Sequence, residues 1–385
     1  MVKGESERTG SHAAAVEGAE RPRIWVLTGH RAGDNAQARA LGALVAERIG
    51  GVVEERPLAW SFLRVLPNWL LPPTLAVLSR EARAKIAPPW PDLVIGVGRR
   101  SVPVARWVQR QAGREGAGPV RLVWLGRPRA PLVWFDLVLT TAQYGLPPAR
   151  NVIMLDLPPT PPVPAPADAY LARWRRAWAD LPRPLTAVLV GGAKWPLIFD
   201  AAAAQRLGQA VSRLCREEGG AWIASTSPRT GIRQARALHE TLKKPGYFYY
   251  WRAEWRAEDN PHRALLALGD RFVVTADSAS MIAEAVRTGR PVLLFPLRRS
   301  RLAPRWRAER GLMRWLAVRG LLSPPRDMAA FCAHLVERGL AQWLDADADG
   351  VAGGGGRGAP AQGASAWREK GLDEAIARIE RLLAS

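Results

Sequence analysis

One stretch limits the fold more than any other: Arg271–Leu297, RFVVTADSASMIAEAVRTGRPVLLFPL. Phe272-Val273-Val274 is a short β-branched apolar run, the mark of a strand buried on both faces. Thr275-Ala276-Asp277-Ser278 follows, rich in residues that cap helices, and Ser278 or Ser280 can serve as N-cap. Ser280–Val286 has helical spacing. Gly289 and Pro291 stop the helix, and Val292–Phe295 reads as the next buried strand. Strand, helix, strand in this order is a βαβ unit, which requires a parallel sheet and a right-handed crossover. Chemistry in such a unit belongs at the loop before the helix. Free amides and the positive end of the helix dipole favour an anion there, most often a phosphate. Small residues at Ala276, Ser278, Ala279 and Ser280 let a ligand reach the backbone. Glu284 lies one turn in, on the face of Ser280 or Met281, where a carboxylate can accept from both hydroxyls of a ribose. The same pattern also fits a purely structural unit with a surface Glu.

A second set of strand-to-glycine turns appears earlier. Ile24–Thr28 reads as a strand, Gly29–Asn35 as a glycine-containing turn, and Gln37–Ile49 as a helix. Such an opening is typical of a nucleotide-fold half, although the spacing is not GxGxxG. His30 is placed to act as a base, or is simply an exposed loop histidine. Pro91–Gly98 is another strand into a glycine turn, followed by Arg99-Arg100-Ser101 and a helix over Val102–Gln111. Two arginines at a helix N-terminus can clamp a phosphate or pair with acids on the surface. Val120–Gly126 and Leu132–Leu139 are further strand candidates, and Asn151–Ile153 begins the exit from the first half.

A chain of 385 residues suggests two domains. Leu157–Ala167 is proline-dense and reads as a semi-rigid linker. Thr186–Val190 then opens a second nucleotide-fold half, with Gly191-Gly192-Ala193-Lys194 behind it. A Gly-Gly turn allows close backbone approach to phosphate, and Lys194 adds a charge; the P-loop spacing is absent. Ala201–Glu217 is a helix and Ala221–Ala224 a strand. Thr226, Ser227, Arg229 and Thr230 at that strand's carboxyl end suit a polar ligand in the crevice. Tyr247–Trp255 reads as an aromatic strand turning into a loop, or as a surface on which a base stacks. Met328–Leu344 looks helical, Asp347–Ala366 is a glycine-rich linker, and Trp367–Leu383 a last amphipathic helix. The expected organisation is a disordered 1–20, a first domain 21–156, a proline-rich linker 157–180, a second domain 181–345, a glycine-rich linker 346–366 and a C-terminal helix 367–385.

Composition narrows the function classes. The formal net charge is +20 and the pI about 11.2. Nucleic acid, an anionic membrane or phosphorylated ligands could answer that charge, as could a simply solvated arginine-rich surface. No nucleic-acid recognition motif accompanies it. The two cysteines, Cys215 and Cys332, have no metal spacing near them, which points to a reducing compartment without a zinc or disulfide framework. No run reaches the roughly 18 uncharged apolar residues of a membrane-spanning helix. Pro57–Leu78, with Trp60, Phe62 and Trp69, is strongly apolar but broken by prolines. It reads either as an insertion packed on the core or as an interfacial patch.

The set Thr275, Asp277, Ser278, Ser280, Met281, Glu284, Ala285, Gly289 and Pro291 resembles the plant mitochondrial-fission family named for elongated mitochondria, and its bacterial relatives. Gly33, Asp34 and Gln37, the Gly-Arg-Arg-Ser of Gly98–Ser101, Phe135-Asp136-Leu137-Val138 and Asn260-Pro261 are similar to it too. The family has Thr-Ser-Arg-Arg-Thr where this chain has Pro228 in place of one Arg, and a Tyr where it has His262. The helix also resembles the donor-nucleotide helix of GT-B glycosyltransferases, in which the equivalent Glu holds the ribose. The resemblance implies an α/β fold of two Rossmann-like, doubly wound parallel-sheet domains facing across a cleft. It implies a nucleotide-diphosphate sugar in the second domain, with Glu284 on the ribose and Ser278–Ser280 near the diphosphate. Transfer would need a base on the acceptor side, for which Asp34 and His30 are the motif-linked candidates. No metal-binding Asp-x-Asp motif stands out, so neither metal nor cofactor is expected. The alternative is a non-catalytic GT-B-shaped scaffold at a membrane surface. The implied place is the cytoplasm, with peripheral contact to an anionic inner membrane face and no specific nucleic acid as partner.

Overall fold

The computed structural model describes residues 21–68, 70–160, 166–193, 195–252, 259–303, 311–322, 325–344 and 370–385. In the first half β1 (Arg23–Thr28), α1 (Ala32–Ile49), β2 (Val52–Pro57), α2 (Arg80–Ala84), β3 (Leu93–Val97), α3 (Val102–Arg114), β4 (Arg121–Leu125), β5 (Leu137–Thr140) and β6 (Val152–Met154) follow one another. The six strands form one parallel sheet in the order β2-β1-β3-β4-β5-β6. Period-two alternation divides its side chains between two cores. Trp25 and Leu27 point into one layer with Val94, Val104 and Trp124. Ile24 and Val26 point into the other with Leu41 and Val45 of α1.

The second half runs α4 (Asp168–Ala177), β7 (Leu185–Leu189), β8 (Leu197–Ile198), α5 (Ala201–Glu217), β9 (Ala221–Ser225), α6 (Ile232–Thr241), β10 (Gly246–Tyr249), α7 (His262–Leu268), β11 (Arg271–Thr275), α8 (Ala279–Arg287), β12 (Val292–Phe295), β13 (Arg298–Arg299), α9 (Gly311–Val318), α10 (Met328–Glu337), β14 (Gln342–Trp343) and α11 (Lys370–Leu383). Its six-stranded sheet has the order β10-β9-β7-β11-β12-β14, and all pairings given for it are parallel. The expected fold, two doubly wound parallel sheets in a GT-B-like α/β chain, is therefore met.

Strand order places the sites. The order in which strands are added reverses once in each sheet, between β1 and β3 in the first and between β7 and β11 in the second. At such a reversal the flanking loops diverge and leave a crevice beyond the carboxyl ends of the strands. Two helices tie the halves together. α11 returns to the first sheet, where Leu372, Ala375 and Ile379 are buried with Leu93, Ile95 and Leu139. Leu372 and Ile379 each contribute about 1.5–3 kcal/mol. α10 also bridges: the Asp327 amide donates to Gln143 O at 2.8 Å, and His334 Nε2 lies 2.7 Å from Asp156 Oδ1.

Several expectations are corrected in detail. α1 begins at Ala32, so Gly33 and Asp34 lie on the same helix as Gln37 and not in the turn. Leu132–Trp134 is a 3-10 turn, and the strand starts only at Leu137. The helix from Met328 ends at Glu337, because Gly339 takes φ +69 and turns the chain toward β14. Lys194, Trp69, residues 1–20, 161–165, 253–258 and 345–369 lie outside the described residues.

Candidate functional site

The crevice of the second sheet is built from three loops. The first follows β7: a Cβ on Gly191 would stand 2.5 Å from the Asp277 carboxylate, and one on Gly192 would stand 2.0 Å from the Arg229 carbonyl oxygen. Only glycine allows the three loops to close on each other this tightly. Thr275, at the end of β11, relays between them. Its hydroxyl accepts from the Gly191 amide at 2.9 Å and donates to Asp277 Oδ1 at 2.7 Å. Thr230 Oγ1 donates to Gly191 O at 2.7 Å, and Ser227 and Thr230 share a 3.1 Å hydroxyl contact. Thr226 accepts from the Trp251 amide at 2.8 Å. These hydroxyls are therefore occupied in shaping the crevice.

Asp277 is almost fully buried, its side chain 2% exposed, with Arg229 Nη2 3.8 Å from Oδ2. Burial raises its carboxyl above the usual range, opposed by the Thr275 bond and the Arg229 charge. Asp277 thus lies under the crevice floor and steers Arg229, whose head stays partly exposed. Ser278 is the N-cap of α8 but its side chain makes no capping bond. Ser280 is exposed on the first turn, and Met281 packs against the core. Glu284, half-buried, is 2.7 Å from His262 Nε2. Of the residues expected here, Gly192, Arg229, Thr230, Asp277, Ser278 and Ser280 share the crevice, and Glu284 sits one turn behind. Within the aromatic run, Tyr247 packs against Trp174 and Trp178.

The crevice of the first sheet holds a cavity of about 240 Å³. Its walls include His30, Asp34, Arg99 and Arg100, while Gly33 and Gln37 lie outside them. Asn35 braces the rim: its side chain accepts from the Gly29 amide at 2.8 Å and donates to Gly29 O at 2.7 Å. Arg127, Arg129, Tyr144 and Arg326 complete the wall and were not expected from sequence. Gly126-Arg127 after β4 repeats the glycine-arginine signal of Gly98-Arg99 after β3, which is the clue that was available. Arg326 comes from the approach to α10, its guanidinium 5.0 Å over the Tyr144 ring. No sequence spacing links it to the others.

Beside this cavity, the inner side chains of Pro57–Leu78 pack as the insertion reading expects: Leu58, Val77 and Leu78 are buried with Leu63, Leu71 and Leu75 against them. Its outer side remains apolar, with Phe62 81% and Val65 68% exposed.

A profile described as mitochondrial fission ELM1 matches residues 29–379. The chain belongs to the mitochondrial fission ELM1 family. Within it, the mitochondrial fission protein ELM1 of Arabidopsis thaliana is 30% identical over 224 residues, 52% of this chain and 51% of that one, so the match spans about half the plant relative. The uncharacterized protein RP120 of Rickettsia prowazekii is 22% identical over 310 residues, 71% of this chain and 82% of its own. Solved structures similar in shape include the catalytic domain of starch synthase IV from Arabidopsis thaliana bound to ADP and acarbose, at 10% identity, 72% of this chain, 83% of that chain and TM-score 0.44. Another is a UDP co-structure of MnaA from S. aureus, at 12% identity, 82% and 96% coverage and TM-score 0.39. At such scores they decide nothing about this family member, whose architecture is read from its own strand pairings. Among the described residues no helix is long and apolar enough to cross a membrane, and no cluster of His, Cys, Asp or Glu could hold a metal.

Proposed function

We propose that the protein is a GT-B-like transferase that binds a nucleotide-diphosphate sugar at the crevice between β7 and β11. The observation that carries this reading is the closure of Gly191–Gly192 onto Arg229 and Asp277 directly beside the amide end of α8. It brings backbone N–H groups, a helix dipole and one partly exposed guanidinium to the place where a diphosphate would lie. Arg229 and the α8 amides, with Ser278 and Ser280, take the diphosphate. Glu284 takes the ribose hydroxyls by exchanging His262 for them. Preorganised charge of this kind stabilises a leaving diphosphate without a metal. The acceptor lies over the first-sheet cavity, with Asp34 or His30 as base and Arg99 and Arg100 as contacts; Gly33 and Gln37 shape the α1 end behind it.

One observation favours the alternative, a non-catalytic scaffold at a membrane surface: the exposed apolar side of Phe62, Val65 and Leu70. A thermal-shift screen with uridine, guanosine and cytidine diphosphate sugars separates the two. The transferase reading expects one sugar nucleotide to raise the melting temperature, and Glu284→Ala to abolish that rise while Phe62→Asp leaves it. A screen in which no sugar nucleotide shifts the melt, with vesicle binding lost in Phe62→Asp, supports the scaffold and overturns the transferase.

A further inference from the structure

α9 is a surface helix without a polar face. Leu312, Met313, Trp315, Leu316, Ala317 and Val318 leave Arg314 as its one charged residue. A helix apolar on all sides is ordinarily buried. Here only the last turn is covered: Ala317 is buried, and Val318 packs against the first-half core. Leu312 is 67% exposed, and Met313 and Trp315 are exposed beside it. The helix is nevertheless held in place. Its end is closed by the Gly320 amide on Ala317 O at 3.0 Å and the Leu321 amide on Leu316 O at 2.9 Å. Gly320 lies so close to the first half that a Cβ on it would stand 2.4 Å from the Ala130 Cα. The turn that follows Ala130 adds Val133, 82% exposed. Between this turn and α9 runs a groove of about 710 Å³, with Leu132, Val133, Trp134 and Trp315 on its walls and Arg314 and Arg319 beside them. Arg314 donates to Pro148 O at 3.1 Å, and the Arg319 guanidinium lies 4.6 Å over the Trp315 ring. Both partners are neutral, so both cations keep their charge at the edge of the apolar patch. The surrounding sequence is basic as well, with seven arginines and one acid, Glu309, from Arg301 to Arg326.

We propose that α9 and the Leu132–Trp134 turn form a docking face for an anionic lipid surface. Leu312, Met313, Trp315 and Val133 enter the boundary between headgroups and acyl chains, as the apolar side chains of interfacial helices do. Arg314 and Arg319 lay their stems along the patch and bring their heads to the lipid phosphates. The groove takes part of an acyl chain, its volume falling within the range of roughly 300–1,000 Å³ usual for ligand sites. Charge and apolarity together select this partner. An exposed apolar patch alone suits protein as well as membrane, but no residue lining the groove is acidic, so a second copy of the same patch would set like cations against each other. Nucleic acid would answer the arginines and leave Leu312 and Val133 in water. A layer of anionic headgroups over acyl chains answers both. The docking uses nothing from the α8 crevice and lies on other elements than Phe62, Val65 and Leu70, so it holds for a transferase and for a scaffold alike.

The test is flotation of the full chain with vesicles of phosphatidylcholine alone and of phosphatidylcholine with phosphatidylglycerol, for the wild type, L312S/W315S, R314Q/R319Q and R314K/R319K. All four side chains are exposed, so the circular dichroism melts of the variants should match the wild type. The wild type should float with the anionic vesicles and not with the neutral ones, and added salt should weaken its binding. L312S/W315S and R314Q/R319Q should each bind at least about tenfold more weakly, while R314K/R319K keeps most of the binding. Absence of binding to anionic vesicles, equal binding to neutral ones, or binding that L312S/W315S leaves unchanged overturns the proposal. So does a dimer in sedimentation that L312S/W315S dissolves while no vesicle is bound, which assigns the face to a second copy. Binding of a generic DNA duplex without vesicle binding overturns it too. The thermal shifts of L312S/W315S with sugar nucleotides should equal those of the wild type, so failure of the α8 crevice and failure of this face read out separately.

Discussion

Gly192→Ala tests how the second crevice is held together. The added Cβ would lie 2.0 Å from the Arg229 carbonyl oxygen, 2.1 Å from its carbonyl carbon and 2.5 Å from its Cβ. Ordinary contact begins near 3.4 Å, so the deficit is well over an ångström, and it falls on backbone that cannot rotate away. The turn at residues 227–230 has to retreat. That stretches the Thr230 hydroxyl from Gly191 O, now at 2.7 Å, and carries Arg229 away from Asp277. Overpacking costs about 1–3 kcal/mol and a lost hydrogen bond about 0.5–1.5 kcal/mol, together about 2–4 kcal/mol. At roughly 2–4 °C per kcal/mol for domains of this size, the melting temperature should fall by about 4–16 °C. Circular dichroism melts measure the fall, and sugar-nucleotide titration measures the accompanying loss of binding. Gly33→Ala is the control. A Cβ there meets nothing within 4 Å and sits in the first turn of α1, so alanine should stabilise by about 0.5–1 kcal/mol. The reasoning fails if both alanines behave alike, or if Gly192→Ala melts with the wild type.

Other outcomes follow from the same geometry. Asp277 has its carboxyl raised by burial, so the folded chain binds a proton more tightly than the unfolded one. Stability should therefore fall as pH rises from the ordinary Asp value through the raised one; Asp277→Asn should flatten that slope in urea midpoints taken from pH 4 to 7, and an unaltered slope would count against the assignment. Glu284→Ala removes a half-exposed pair with His262, so it should cost no more than about 1 kcal/mol of stability while removing sugar-nucleotide binding. Ile379→Ala, fully buried against the first sheet, should cost about 2–5 kcal/mol and expose α11 to limited proteolysis; an unchanged melt would mean that α11 does not hold the first sheet.

Sequence made the strands at the sheet centres legible because burial on both faces leaves only continuous apolar runs. Leu185–Leu189, Phe272–Val274 and Val292–Phe295 are of this kind, and α5 was bounded to the residue. The edge strand β2, Val-Val-Glu-Glu-Arg-Pro, was not read, since a strand paired on one side and wet on the other carries Glu54 and Glu55 that mimic a loop. Gly33 and Asp34 looked like turn residues but are equally at home in the first turn of a helix. The α8 crevice was legible because its residues are contiguous or follow recognisable strand ends. The arginine cavity was only half legible. Arg99 and Arg100 announce themselves after a glycine, whereas Arg326 joins them through the packing of α10 on the first domain, which no local pattern encodes.

The central claim is that the α8 crevice grips a nucleotide diphosphate while Glu284 holds its ribose. Titration calorimetry of the wild type and Glu284→Gln with uridine, guanosine and cytidine diphosphate sugars tests it most directly. One of the three should bind saturably to the wild type and at least about tenfold more weakly to Glu284→Gln, a difference of about 1.4 kcal/mol. No saturable binding by any of the three, or equal affinity in both proteins, would contradict it.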